Sequence, residues 1–381
     1  MKIRNVRLFL GKSFVPGGIV FDQIIREAGP QVRPEAEAID GGGCLLIPGL
    51  VDIHTHAAVG EDASDGRPEG LEKMARYYAA GGVTSWCPAT MTLPEDALIR
   101  AMQAISRVYK KQTGNQSRSG GARIVGINLE GPFLSLARCG AQNPAFLKAP
   151  DPDLFDRLNE ASGGLIRLVT VAPELPGAMD FIRRVRHKCT VSLGHTDADY
   201  DSCMAAFEAG ASHVTHLFNA MTPPGHRAPG LPAAAFDSGV SVELITDGQH
   251  IHPAMVRLAF SLFRDRLALI SDSLACAGMP DGQYRLGGQA VTLLNGRAVL
   301  AGTDTLAGSA IHLMDGVKKA AAFGIPLETA VYSATALPAK VIGMDACIGS
   351  LEPGKAADFV LLTPDLSVKA VYIDGKPVTE A

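Results

Sequence analysis

From Pro48 onward the chain repeats one texture: a short, nearly continuous apolar run, then a stretch with helical spacing. The apolar runs fall at 50–54, 83–88, 124–129, 166–171, 190–193, 213–217, 241–245 and 267–271. A strand that is apolar at almost every position is one buried on both faces. Strands that alternate with helices are joined as parallel neighbours, because a parallel connection needs a crossover. Helices are expected over 68–80, 94–111, 178–187, 199–209 and 253–263. Eight alternations within roughly 300 residues match the size of a TIM barrel. The expected fold class is therefore α/β, a (β/α)8 TIM barrel spanning residues 49–348.

The flanks read differently. Residues 2–47 are short and β-like, with turns expected at Gly11-Lys12, Pro16-Gly17-Gly18 and Gly41-Gly42-Gly43. Helical spacing appears there only around 21–28. The stretch 284–300 reads as strand–turn–strand with Asn295-Gly296 at the turn, a strong hairpin signal. The tail, 357–362 and 366–373, is again short strands. The two ends are expected to pair into one small β-sandwich domain, 1–48 with 349–381.

Composition excludes several classes. With 47% hydrophobic and 19% charged residues, a chain of 381 residues can bury a core without disulfides. The seven cysteines are scattered and form no CxxC pair, so they read as free thiols of a reducing compartment, and the cytoplasm is expected. A net charge of -4 leaves no basic footprint for nucleic acid. No run of about 18 apolar residues marks a membrane span. The N-terminal residues alternate like a strand rather than a signal peptide.

The chemistry gathers at the C-terminal ends of the expected strands, where barrel enzymes place their sites. The first strand runs into Asp52-Ile53-His54-Thr55-His56, and in an extended chain His54 and His56 point to the same side. Glu130 ends the third strand, His195 the fifth, His216 the sixth and Asp272 the eighth. Four histidines and two carboxylates converging on one mouth make a metal site the expected reading. His187, His213 and His312 lie on helices or at strand beginnings and are read as structural.

These residues resemble the amidohydrolase superfamily and, within it, the N-acetylglucosamine-6-phosphate deacetylases. The matching blocks are Leu129-Glu130-Gly131-Pro132-Phe133, Val171-Ala172-Pro173-Glu174, Gly194-His195-Thr196 and Thr215-His216-Leu217-Phe218-Asn219-Ala220-Met221. Further matches are Arg227-Ala228-Pro229-Gly230, Asp247-Gly248-Gln249-His250 and Leu306-Ala307-Gly308-Ser309. The resemblance implies Glu130, His195 and His216 as metal ligands, with His54 and His56 making a second ion possible. It implies Asp272 as the catalytic aspartate, counted also among the ligands. Asn219, Ala220, Arg227, Asp247 and His250 match positions around the sugar phosphate, and Leu306, Ala307 and Gly308 a loop near the sugar. It also implies a homodimer.

One or two divalent ions are expected. Zinc suits the mixed nitrogen and oxygen donors, and iron, manganese or cobalt fit as well. Such an ion lowers the pKa of bound water from about 15.7 to roughly 7, and Asp272 is expected to act as general base and then acid. Arg227, in a Pro/Gly-rich loop, offers paired donors suited to a phosphate. One position departs from the pattern: Gly140-Ala141-Gln142 stands where a histidine following Gly-Ala or Gly-Thr usually touches substrate. Ala141 and Gln142 are kept as substrate-binding candidates. Glutamine can donate a hydrogen bond but carries no charge, so a deacetylase of the galactosamine isomer, or of a related amide, stays open beside the glucosamine reading. A barrel scaffold without chemistry is the remote alternative.

Overall fold

The structure, a computed structural model, describes residues 1–32, 37–114 and 120–378. All eight apolar runs form strands in parallel sheets. Leu50–Thr55, Val83–Pro88 and Arg123–Ile124 make one sheet of three strands. Ile127–Glu130, Ile166–Val171, Thr190–Leu193, His213–Val214, Ser241–Ile245 and Leu267–Ile270 make another of six, ordered as in the chain. A parallel bridge between Ala89 and Asn128 links the two. At the other edge the Asp272 N–H donates to the His54 carbonyl at 2.9 Å. The parallel array is thus curled, and its strand ends gather.

Two of the expected strands are changed in detail. The third is broken into Arg123–Ile124 and Ile127–Glu130, and the sixth is only His213–Val214. The sixth stops because the chain leaves the extended region at His216 (φ +25) and again at Phe218 (φ +76).

The crossover helices follow the spacing. Pro68–Ala80 has proline in its first turn, where the missing N–H costs nothing. It buries Leu71, Met74, Ala75, Tyr78 and Ala79, the i, i+3, i+4, i+7 stripe of an amphipathic helix. Glu95–Thr113, Ala178–Val185, Tyr200–Ala209 and Pro253–Phe263 also lie where expected.

Strands from the two ends of the chain share one sheet. One eight-stranded sheet takes the order Lys376–Pro377, Val368–Ile373, Phe359–Leu362, Leu45–Pro48, Lys2–Leu10, Ser13–Phe21 and Ile25–Gly29, with Ile39–Asp40 beside Lys2–Leu10. Phe21 lies three strands from Phe359, about 14 Å in a flat sheet. Their rings are nevertheless 4.9 Å apart, and Phe21 is 5.6 Å from Tyr372. The sheet therefore curls over its own apolar face.

Two local expectations are corrected. The helical spacing at 21–28 is coincidental, since Ile25–Gly29 is a strand antiparallel to Ser13–Phe21. Pro16-Gly17-Gly18 is not a turn but lies inside Ser13–Phe21. A Cβ on Gly17 would come within 2.3 Å of the Gly29 carbonyl oxygen, so glycine there permits close approach of the third strand.

The stretch expected to be a single hairpin is a four-stranded antiparallel sheet of Gly282–Leu286, Gln289–Leu294, Arg297–Leu300 and Leu306–Gly308. Asn295-Gly296 turns with both φ positive (+50 and +75), the backbone of a two-residue hairpin loop. Gly287-Gly288 (+53 and +86) is a second loop of the same kind.

Candidate metal centre and its pocket

The strand ends place the expected ligands side by side at the floor of a pocket. His54 and His56 lie on one side of their strand, ring centroids 5.3 Å apart. His195, His216 and Asp272 each follow a strand with positive φ (+47, +25 and +48). Non-glycine residues in such conformations carry about 1–3 kcal/mol of strain each, which surrounding structure has to offset. The abrupt turns bring three side chains from three strands to one place.

Two donor clusters result. In the first, Glu130 Oε1 lies 3.2 Å from His195 Nε2 and 3.0 Å from His216 Nε2, and the two nitrogens are 3.0 Å apart. In the second, Asp272 Oδ1 lies 3.5 Å from His56 Nε2 and 3.9 Å from His54 Nε2. Glu130 joins them: Oε1 is 3.3 Å from His54 Nε2, and Oε2 is 3.1 Å from His56 Nε2. All six residues are buried.

The donor set fits a divalent cation. Four-coordinate zinc with ligands at 2.0–2.1 Å spaces its donors by about 3.3 Å, close to the separations around Glu130 Oε1. His54 Nε2 is buried with no hydrogen-bond partner among the described residues, although it faces two carboxylates. Such an atom is costly to leave unsatisfied, and a cation would satisfy it. Burial works against ionising Glu130, yet the neighbouring His54 and His195 rings outweigh it and hold the carboxyl well below its usual range. Burial likewise opposes charge on His54 and His216, and the carboxylates beside them win, raising both rings.

The ring nitrogens facing away from the site are supported unevenly. His195 Nδ1 lies 3.0 Å from the Arg138 carbonyl, and His54 Nδ1 lies 2.9 Å from Glu243 Oε2. Among the described residues, His56 Nδ1 and His216 Nδ1 have no hydrogen-bond partner.

Above the floor the pocket has a volume of about 490 Å³. Ala141, Gln142, Asn219, Ala220, His250, Leu306, Ala307 and Gly308 line it, as do His56, Glu130, His195, His216 and Asp272. Asp247 does not line the wall but orients His250: its carboxylate lies 2.7 Å from His250 Nδ1 and accepts the backbone N–H groups of Gln249 and His250. Arg227 is exposed and is not among the lining residues. Gln142 is held by two bonds. The Thr92 N–H donates to its Oε1 at 2.7 Å, which turns Nε2 to donate to Glu130 Oε2 at 2.6 Å.

Sequence reasoning missed several residues. Arg138 lines the pocket with its Nε 2.8 Å from Asp197, and no motif marked it. Leu286 and Thr305 reach the wall from the inserted antiparallel sheet, for which Gly287-Gly288 was the available signal. Glu243 is fully buried against His54 and lies within an apolar run, where the run itself masked it. His213, read as structural, is the other histidine on Glu243, at 3.3 Å. His312 caps Leu313–Ala322 and stacks on Tyr77 with centroids 3.9 Å apart, away from the clusters.

Known proteins are similar to this chain in sequence and in fold. An N-acetylgalactosamine-6-phosphate deacetylase of Escherichia coli O157:H7 is 36% identical, covering 87% of this chain and 87% of its own. An N-acetylglucosamine-6-phosphate deacetylase of Vibrio furnissii is 37% identical, covering 91% of this chain and 86% of its own. The solved N-acetyl-D-glucosamine-6-phosphate deacetylase of Mycobacterium smegmatis, in complex with N-acetyl-D-glucosamine-6-phosphate, superposes with a TM-score of 0.92 at 34% identity, over 100% of this chain and 99% of that one. A sequence profile of the Amidohydrolase family matches residues 45–378, a span that includes every strand end of the site. With its donor clusters, its curled parallel array and that profile in agreement, the chain belongs to the amidohydrolase family.

Proposed function

We propose that this protein is a divalent-metal-dependent deacetylase that hydrolyses N-acetylglucosamine-6-phosphate to glucosamine-6-phosphate and acetate. The observation that carries the reading is the pair of donor clusters sharing Glu130 beneath a pocket walled by Asn219, Ala220 and His250. Glu130, His195 and His216 would hold one ion, and His54, His56 and Asp272 a second. A bound divalent ion supplies acidified water and polarises a carbonyl; zinc suits these donors, with iron, manganese and cobalt as alternatives.

The chain's own residues do the rest. Asp272 takes the proton of the attacking water and delivers it to the amine nitrogen as the amide bond breaks. His250, oriented by Asp247, and the Asn219 amide offer polar contacts to the sugar phosphate. Leu306, Ala307 and Gly308 close one wall over the sugar, with Ala141, Ala220 and the Gln142 amide on others. Arg227 is assigned to the phosphate. Its exposure outside its own chain's pocket suits a homodimer in which the loop serves a neighbouring copy. Arg227→Ala is then expected to raise KM for the phosphorylated sugar about 10–100-fold, the worth of charge-assisted hydrogen bonds. KM for the unphosphorylated sugar should stay nearly unchanged, and equal effects on both would remove Arg227 from the phosphate.

The same reading includes the closed fold. The two parallel sheets are taken as arcs of one (β/α)8 barrel over 49–348, supported by the Ala89–Asn128 bridge and the bond from Asp272 to His54. The curled terminal sheet is taken as the β-sandwich of 1–48 and 349–381, supported by the contact of Phe21 with Phe359. Seven free thiols suit the reducing cytoplasm. Among the described residues no helix is long and apolar enough to cross a membrane.

A specific observation favours a second reading. Gln142 replaces the expected histidine, and a galactosamine-type relative is as similar as the glucosamine-type ones. The deciding experiment is initial-rate amine release by metal-loaded protein from N-acetylglucosamine-6-phosphate, its galactosamine isomer and the unphosphorylated sugar. Preference for the glucosamine phosphate supports the proposal, preference for the isomer supports the second reading, and activity on none of the three contradicts both.

A further inference from the structure

Glu243 has no task in the chemistry above, yet it is fully buried behind the site. A buried carboxylate persists only where donors surround it, and here they come from three directions. His54 Nδ1 lies 2.9 Å from Oε2, and the backbone N–H of His216 donates to the same oxygen at 3.1 Å. His213 Nε2 lies 3.3 Å from Oε1, and Ser241 Oγ, 2.7 Å from the other nitrogen of that ring, can donate to it and leave the ring proton on Nε2 for Glu243. With a carboxylate against Nδ1, the His54 ring keeps its proton on that nitrogen and turns the lone pair of Nε2 into the pocket. That is the atom left without a hydrogen-bond partner. His56, the second histidine of the same cluster, has no partner for its outer nitrogen among the described residues. The orientation of the cluster therefore rests on His54.

We propose that Glu243 is a positioning residue that fixes the His54 ring and thereby sets the affinity of the His54–His56–Asp272 cluster for its ion. The inference rests on the metal-centre reading and adds to it an order of binding. The Glu130–His195–His216 cluster fills first, and the second cluster fills only as tightly as Glu243 allows. Carboxylate partners behind metal-bound histidines are commonly worth 10–100-fold in affinity. Glu243→Gln keeps the shape and removes the charge.

The test titrates metal-free wild type and Glu243→Gln with Zn2+ against a chromophoric chelator, with circular dichroism as the folding control. The expected result is two Zn2+ per wild-type chain and, in the variant, an unchanged first Kd with a second Kd weakened about tenfold or more. An unchanged second Kd, or equal weakening of both, would overturn the positioning role. Wild type that binds one ion would overturn it too, and wild type that binds none would instead overturn the metal-centre reading. Should the variant fail to fold, nitrogen NMR of Zn2+-loaded wild type answers the question. A proton on Nδ1 of His54 is expected, and a ring bound to the ion through Nδ1 would overturn the proposal.

Discussion

The two clusters at the pocket floor use the same residue types but are not built alike. Around Glu130 Oε1 the donor separations are 3.0–3.2 Å, whereas Asp272 stands 3.5 and 3.9 Å from its histidines. The tight cluster already has the spacing of a tetrahedral ion, so little reorganisation is needed to bind one. The looser cluster has to draw Asp272 inward, while the support behind the rings is alike: among the described residues His56 and His216, one in each cluster, have no outer hydrogen bond. The difference teaches that similar ligands do not by themselves make equal sites, because the spacing at which the fold holds them decides how much has to move when an ion binds.

The largest way to break the comparison is to remove what the clusters share. Glu130→Gln takes a carboxylate from both, so both ions should be lost and turnover should fall by about 10³-fold or more, the scale of losing a principal electrostatic element. Metal analysis and initial rates on one sample check this, and a variant that keeps two ions would show that the clusters are independent.

Asp272→Asn separates the clusters. It should leave the ion at Glu130 in place while lowering kcat by about 10²–10⁴-fold, the range of general acid–base catalysis. A nearly active variant with full metal content would take the proton-carrying role away from Asp272.

Gln142→Ala is the smallest and sharpest change. Glu130 Oε2 loses a donor at 2.6 Å while every ligand stays. Hydrogen bonds to charged groups are worth about 1.5–3 kcal/mol, so ion retention under chelator should weaken roughly tenfold or more. If retention is unchanged and only the preference between sugar isomers moves, Gln142 acts on substrate rather than on Glu130.

Much of this was legible in the sequence, for identifiable reasons. Apolar runs declare strands buried on both faces, and the period of two puts His54 and His56 on one side. Strand ends located Glu130, His195, His216 and Asp272, since side chains at the mouth of parallel strands have little else to face. What escaped notice depended on partners remote in sequence. Glu243 sits inside an apolar run and shows its role only when the Leu50–Thr55 and His213–Val214 strands flank it with histidines. Pro16-Gly17-Gly18 carries turn chemistry, yet its glycine is there for the approach of the Gly29 carbonyl. Arg227 was assigned by motif, and the single chain leaves it outside the pocket because the loop projects to solvent.

The most direct test of the account follows acetate release from N-acetylglucosamine-6-phosphate while Zn2+ is returned stepwise to metal-free protein. No turnover is expected without metal, and activity should rise with occupancy of the Glu130 cluster. Full activity in metal-free protein would contradict the metal-centre reading.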